Sequence, residues 1–348
     1  MPVLVADEDL VGVEALAPEG FEIVRYQGRS IPAALCQVAD AVYVRSTVRL
    51  DLTQFSSTLR FIGTATIGTE HLPLEALRAR GVCVASAPGC NALAVTDYVL
   101  ATIARWVQVR QRGFDGLCLG LIGYGQIGRR LAARAQALGC LVLVSDPPAA
   151  AHARCPQDQP WEQVLSQADV LSVHVPLTTT GPWPTLGLLS PAGLAPMRSG
   201  GLVINAARGR LFTAETVIQR PDLDWALDVF PEEPLISESL LAAVWQVSPH
   251  IAGHSFAGKW RGTQHIAEAH RQSLGQPPTG LPVKGGSHRA HADWADILAC
   301  CPLQPEDQQL RAALQGITDP VTRAEAFDRC RRAYVLREES IQDLAIAL

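Results

Sequence analysis

Short apolar runs alternate with stretches of helical spacing over most of the chain. PVLVA, FEIVRY, AVYVR, LRFIGTA and VCVASA are each a few residues long and rich in valine and isoleucine, the pattern of buried strands. Between them, segments such as LPLEALRARG carry apolar residues at helical spacing and stop at a glycine. Strand alternating with helix predicts a parallel sheet wound by crossover connections, from Met1 to about Asn91. Ala92 to Gln111 is apolar nearly all round (ALAVTDYVLATIARWV) and predicts a long, largely buried helix. The alternation then restarts with LCLGLIG, RRLAARAQALG, LVLVSD, VLSVHVP, GLVINAA and LDWALDVF, predicting a second α/β unit that runs to about Ala257. From Gly275 the stretch GQPPTGLPVKGGSHRAH is rich in proline and glycine and reads as a linker. Beyond it, about Ala292 to Leu348, helical patterns mixed with charge (EDQQLRAAL, RAEAFDRCRRAYVLREES) predict a small further domain or a dimerisation arm.

Bulk properties narrow the class. The 348 residues suffice for two or three domains, and 48% apolar with 18% charged residues is a globular balance. A net charge of -5 argues against a nucleic-acid surface as the main business, while leaving room for a local basic cluster around a small anion. The nine cysteines are scattered singly apart from Cys300-Cys301, with no CxxC spacing. That pattern indicates buried thiols in a reducing compartment, neither a disulfide framework nor a zinc site. The start, MPVLVADEDL, lacks the features of a signal peptide, and no run approaches the roughly 20 apolar residues of a membrane helix. The expectation is a soluble, cytoplasmic protein that engages neither nucleic acid nor membrane.

One glycine pattern carries chemistry. LCLGLIG leads into GxGxxG at Gly123, Gly125 and Gly128, between a strand-like run and an amphipathic helix. Gly123 permits the tight turn, Gly125 lets the backbone approach a pyrophosphate, and Gly128 allows the helix to pack on the strand. LVLVSD then ends in Asp146, near the offset where a carboxylate receives the ribose hydroxyls and repels a 2′-phosphate. The expected cofactor is NAD, not NADP.

Later strand ends supply acid–base candidates. Acid–base chemistry on a small anion beside a dinucleotide requires a cation to hold a carboxylate, a base to move a proton, and a group that holds the base. LVINAARGR delivers Arg208, whose guanidinium can grip a carboxylate through two parallel hydrogen bonds. LDWALDVFPEEP carries Glu232 and Glu233 past Asp228, and SPHIAGHS places His250 after a further short strand. A carboxylate beside His250 would fix the imidazole tautomer and favour its charged form. Pro249 and Gly253 argue against a helical metal pair at His250 and His254, and no metal is expected. His265 and His270, in a polar helix, and His288 and His291, in the linker, read as solvated.

Taken in order, GxGxxG, Asp, ARG, Asp-x-x-x-x-Glu-Pro and PHIAG resemble the D-isomer-specific 2-hydroxyacid dehydrogenases. VRSTV, FIGTATIGTEHL, APGCNALAVTDYVLA and HIAGHSFAGKWRGT are similar to one branch of that family, which acts on a phosphorylated hydroxy acid. The resemblance covers nearly all of Met1 to about Arg271. It implies an α/β fold of two doubly wound parallel-sheet (Rossmann-like) domains flanking a cleft. Residues 1–91 with about 258–275 would form the substrate domain, 92–257 the NAD-binding domain, and 285–348 a small C-terminal α+β dimerisation domain of a homodimer. It implies Arg208, Glu233 and His250 as the catalytic set. Substrate contacts fall on Ser46, Thr66 and His254, with Arg45 and Lys259 as candidate phosphate partners, although Arg45 reads equally as a solvated strand end. Cofactor contacts fall on Gly123, Gly125, Gln126, Ile127, Gly128, Asp146, Pro176, Ala206, Asp228 and Gly253.

Three positions depart from the family pattern. His254 stands where a tyrosine is usual, Val175 where a threonine precedes the proline, and Ala207 where a cysteine precedes the arginine. None removes the catalytic set, but the first loosens the substrate assignment. Two alternatives stay open: another D-2-hydroxy acid substrate, such as phosphoglycerate, and an NADH-sensing binding protein without turnover.

Overall fold

The computed structural model describes residues 1–155, 157–284 and 293–339. Its elements follow the predicted alternation. The first part runs β1 (Val3–Asp7), α1 (Val13–Leu16), β2 (Glu22–Tyr26), α2 (Ala33–Val38), β3 (Ala41–Val44), β4 (Phe61–Thr64), α3 (Leu74–Ala79) and β5 (Cys83–Ala85). Then come α4 (Ala92–Val109), β6 (Cys118–Ile122), α5 (Gln126–Ala137), β7 (Leu141–Ser145), α6 (Pro147–Ala150), α7 (Trp161–Gln167) and β8 (Val170–Val173). The chain continues through β9 (Leu202–Asn205), α8 (Ala214–Gln219), β10 (Asp224–Leu227), α9 (Glu238–Ala243), β11 (Gln246–Val247) and α10 (Phe256–Ser273). Three helices close the described part: α11 (Trp294–Cys300), α12 (Leu303–Leu314) and α13 (Pro320–Ala333). Two compact units result. One comprises Met1–Asn91 with the described residues from Ser255 to Lys284, and the other Ala92–His254 with those from Asp293 to Glu339.

The first unit is built on a five-stranded sheet ordered β2-β1-β3-β4-β5, parallel throughout. Val5, Val42 and Ile62 face one core while Leu4, Ala6, Tyr43 and Phe61 face another. This two-faced burial is why the strands read as unbroken apolar runs. The long helix α10 seals the second face with Trp260, Ile266 and Ala267.

Here the solvated reading of His270 is corrected. The residue lies one turn beyond Ile266 on the same face of α10 and is 2% exposed. Its Nδ1 is 3.0 Å from the Tyr43 hydroxyl, and its ring stacks on Phe61 with centroids 4.2 Å apart. Burial pushes the imidazole down to about 4. Residue type suggested a polar helix, but the face on which the histidine falls decided its fate. His265 is exposed, as expected, while His288 and His291 lie outside the described residues.

The second unit carries a six-stranded parallel sheet ordered β11-β10-β9-β8-β6-β7. Leu119, Leu121, Leu202 and Ile204 turn to a core shared with α4, α5 and α11. Leu171, Val173, Val203 and Trp225 turn to the opposite core, which takes in α7, α8, α9, α12 and α13. The predicted long helix is α4, with fifteen of its eighteen residues buried. The helices after the linker thus extend both cores of this unit. Among the described residues no helix is long and apolar enough to cross a membrane, and Cys36, Cys83, Cys90, Cys118, Cys140, Cys155, Cys301 and Cys330 are free thiols.

Candidate active site

Strand order reverses in the second sheet between β6 and β8, and a crevice for ligands forms at the C-terminal ends of such a pair. The glycine loop occupies that point. Gly123 adopts φ 99°, and a Cβ there would fall 2.5 Å from the His174 carbonyl oxygen after β8. A Cβ on Gly128 would fall 2.0 Å from the Gly123 oxygen, so these two glycines are dictated by packing. A Cβ on Gly125 would meet nothing within 4 Å. That open space lies at the N-terminus of α5, whose first-turn N–H groups at Gln126 and Ile127 have no acceptor within the helix. An anion is favoured there by both geometry and dipole. The residues present therefore fit a dinucleotide.

Asp146 caps α6 by accepting from the Ala149 N–H at 2.8 Å, and its second oxygen accepts from the Tyr124 N–H in the glycine loop at 2.5 Å. The carboxylate that the sequence reserves for ribose thus also fastens the loop that would hold the pyrophosphate. His174, Val175 and Pro176 form the turn after β8. The His174 Nε2 is 2.9 Å from the Ser172 hydroxyl, and the Pro176 carbonyl accepts from the Thr185 hydroxyl at 2.6 Å.

The acid–base candidates emerge from three neighbouring strand ends. Sheet register aligns Asn205 of β9 with Leu227 of β10, and Leu227 with Val247 of β11. Arg208, Glu233 and His250 follow within a few residues of these ends, with Ala206 and Ala207 leading into the first loop. The loops touch closely: a Cβ on Gly209 would fall 1.8 Å from the Phe230 carbonyl oxygen. The Arg208 Nη1 donates to the Ala207 carbonyl at 2.9 Å.

His250 Nδ1 lies 2.8 and 3.0 Å from the two Glu233 oxygens. Burial pushes the Glu233 carboxyl upward, but the His250 charge and hydrogen bond, and the Arg331 guanidinium, outweigh it and hold the group below its ordinary value. His250 has φ 58°, a left-handed backbone uncommon for a residue with a side chain.

Asp228 explains how that backbone is held. It is 1% exposed and accepts from the Ser248 hydroxyl at 2.7 Å, the Ile251 N–H at 2.7 Å and the Ala252 N–H at 2.9 Å. Burial raises its carboxyl, with partial offset from His250 and these hydrogen bonds. The resemblance places Asp228 against cofactor, whereas its carboxylate accepts from the loop that carries His250 and Gly253.

In the first unit, Ser46 and Thr66 follow the adjacent parallel strands β3 and β4. Arg45 is partly exposed but already committed: its guanidinium lies 2.9 Å from Asp7 and 2.7 Å from Asp9. Two carboxylates therefore offset its charge. Lys259 sits in the first turn of α10.

Sequence reasoning missed His71. Its Nε2 is 3.1 Å from the Thr64 hydroxyl, which is 2.8 Å from the Thr66 hydroxyl, which in turn donates to the Gly68 carbonyl at 3.2 Å. Because that carbonyl only accepts, the chain of donors runs backward and requires the Nε2–H tautomer of His71. Also missed were Arg331 and Arg337, although the string FDRCRRAYVLREE contains both. Among the described residues no cluster of His, Cys, Asp and Glu could hold a metal ion.

Residues 98–252 match the family model described as "D-isomer specific 2-hydroxyacid dehydrogenase, NAD binding domain". The chain is 38% identical to the erythronate-4-phosphate dehydrogenase of Azotobacter vinelandii, over 97% of this chain and 92% of that protein. It is 37% identical to the enzyme of the same name from Acinetobacter baylyi, over 97% of each. Among solved structures, the 3-phosphoglycerate dehydrogenase of Entamoeba histolytica shares the fold. Its TM-score is 0.63 at 21% identity, covering 79% of this chain and 94% of that one.

Proposed function

The chain belongs to the D-isomer-specific 2-hydroxyacid dehydrogenases, in the erythronate-4-phosphate dehydrogenase branch, and from that membership we propose that it oxidises 4-phospho-D-erythronate. The product is the corresponding 2-oxo acid, on a route toward pyridoxal phosphate. The observation that carries the reading is the His250–Glu233 pair, bonded at 2.8 Å beside the loop that bears Arg208.

The glycine loop and Asp146 would hold NAD, which would supply the hydride acceptor for oxidation at C2. His250 takes the hydroxyl proton at Nε2, since its Nδ1–H is donated to Glu233. Glu233 fixes that tautomer and stabilises the imidazolium that forms. Arg208 holds the substrate carboxylate through paired hydrogen bonds. Ser46, Thr66 and His254 receive the phosphate end with Lys259, while Arg45, already neutralised, orients the loop after β3. Gln126, Ile127, Pro176, Ala206 and Gly253 line the nucleotide, and Asp228 acts by shaping the His250 loop.

The same reading assigns residues 1–91 with about 258–275 to substrate, 92–257 to NAD, and 285–348 to dimerisation. It places the homodimer in the cytoplasm.

Purified protein given NAD and 4-phospho-D-erythronate is expected to generate NADH absorbance. His250→Ala and Arg208→Ala should each lower kcat/KM by about two to four orders of magnitude. Intact turnover in both variants overturns the mechanism. A preference for unphosphorylated hydroxy acids overturns the substrate while sparing the reaction type.

A further inference from the structure

The C-terminal segment does more than extend two cores, because two of its arginines reach the loops that carry the acid–base pair. Arg331, on the last turn of α13, places Nη1 3.8 Å from the Glu233 carboxylate, and both side chains are mostly buried. Six residues on, Arg337 is 8% exposed and donates to backbone carbonyls on each side of Gly253. Its Nη1 reaches the Ile251 oxygen at 3.1 Å and the His254 oxygen at 3.3 Å. Its Nη2 reaches the Ala94 oxygen at 2.9 Å and also the Ala252 oxygen. Tyr334, between the two arginines, packs its ring near that of His254 and accepts from Arg337 at 2.9 Å.

We propose that this segment is part of the acid–base site, with Arg331 as a positioning residue for Glu233 and Arg337 as the clamp on the loop after His250. The inference rests on His250 being the base of the reaction above. A cation 3.8 Å from Glu233, at the same oxygen that His250 Nδ1 approaches, does two things. It holds the carboxylate ionised and oriented toward Nδ1, and it withdraws part of the negative potential that would otherwise favour the imidazolium. Loss of that cation would therefore tip the pair toward the imidazolium. Other charged and titratable groups also surround the pair: Asp228 beneath the loop, Arg208 on the neighbouring strand end, and His254, Tyr334 and Arg337 beyond Gly253. Asp228 pulls toward the imidazolium, and the arginines oppose it. Arg337 acts mechanically, since three carbonyls of residues 251–254 and that of Ala94 share one guanidinium, which fixes the loop on which the left-handed His250 depends.

The full-length protein tests this through Arg331→Met and Arg331→Lys. For Arg331→Met, the acid limb of kcat/KM for hydroxy-acid oxidation should move up by about half a pH unit to one unit. KM for NAD should remain within twofold. The His250 imidazole, titrated by NMR without nucleotide, should move in the same direction. Arg331→Lys, which keeps the charge, should restore the wild-type limb. Arg331→Gln serves in place of the methionine variant if that one does not fold, with the same expectation. An unchanged acid limb and an unchanged NMR titration overturn the proposal, as does a lysine variant displaced as far as the methionine one. His250→Ala separates the two levels. Full turnover in that variant sinks the assignment of the base, whereas loss of turnover alongside a silent Arg331→Met sinks only the role of the arginine.

Discussion

At the residue scale, the nucleotide loop shows three glycines required for different reasons, and this separates stability from binding. A methyl group on Gly128 would collide with backbone that cannot give way. Gly128→Ala should therefore cost about 2–3 kcal/mol in chemical denaturation. Gly125 has φ -82° and ψ -151°, open to any residue, and its Cβ position is empty. Gly125→Ala should fold with stability within about 1 kcal/mol of the parent, the scale of an N-cap change. Its NAD affinity by calorimetry should nonetheless fall at least tenfold, because the methyl stands where the pyrophosphate approaches. Equal losses of stability in both variants would remove that distinction. The glycine pattern itself was legible in the sequence. So were the roles of the three glycines; what the sequence did not show is that Gly123 sits against the His174 carbonyl, far along the chain.

At the element scale, α10 shows how a helix face overrides residue type. His270 is neutral in the fold, with its imidazole down at about 4, whereas in the unfolded chain it titrates near 6.5. Between those values the unfolded state binds the extra proton, so stability rises with pH across the window and falls as pH drops through it. The contribution at stake is on the order of 3 kcal/mol. Urea midpoints measured from pH 7 to pH 4 should fall, and His270→Gln should flatten that part of the curve. A variant whose midpoints track the wild type would show that His270 does not drive the loss. The helix was legible from its spacing. Its buried stripe of Trp260, Thr263, Ile266, Ala267 and His270 was obscured by two polar members.

At the scale of the whole molecule, the C-terminal segment combines inward and outward features. Arg323 and Phe327 of α13 are buried against the second unit, where Phe327 meets Phe230 edge-on with centroids 6.0 Å apart. Val321 and Val335, in contrast, are 67% and 85% exposed. We propose these two valines as contacts for the chain pairing assigned above to this arm. Light scattering at micromolar concentration should give twice the chain mass, and Val335→Lys should shift the equilibrium toward the monomer. A single-chain mass for the wild-type protein would leave the arm with its internal role alone.

The order of strands and helices, the parallel sheets, the glycine loop and the candidacy of Arg208 and His250 were legible in local sequence, while the choice of Glu233 over Glu232 came with the family resemblance. Apolar period and turn chemistry act over a few residues, and short motifs encode their own geometry. Tertiary structure alone decided what meets across long separations. Sheet register brought Glu233 and His250 to one edge and turned Asp228 inward beneath the His250 loop. Packing of the last helix delivered Arg331 and Arg337 to that loop from far along the chain. The pairing of β1 with β3 tied the Arg45 charge to Asp7 and Asp9. Such pairings follow from how the layers stack and are written in no local pattern, which is why a string as plain as FDRCRRAYVLREE concealed its two most consequential side chains.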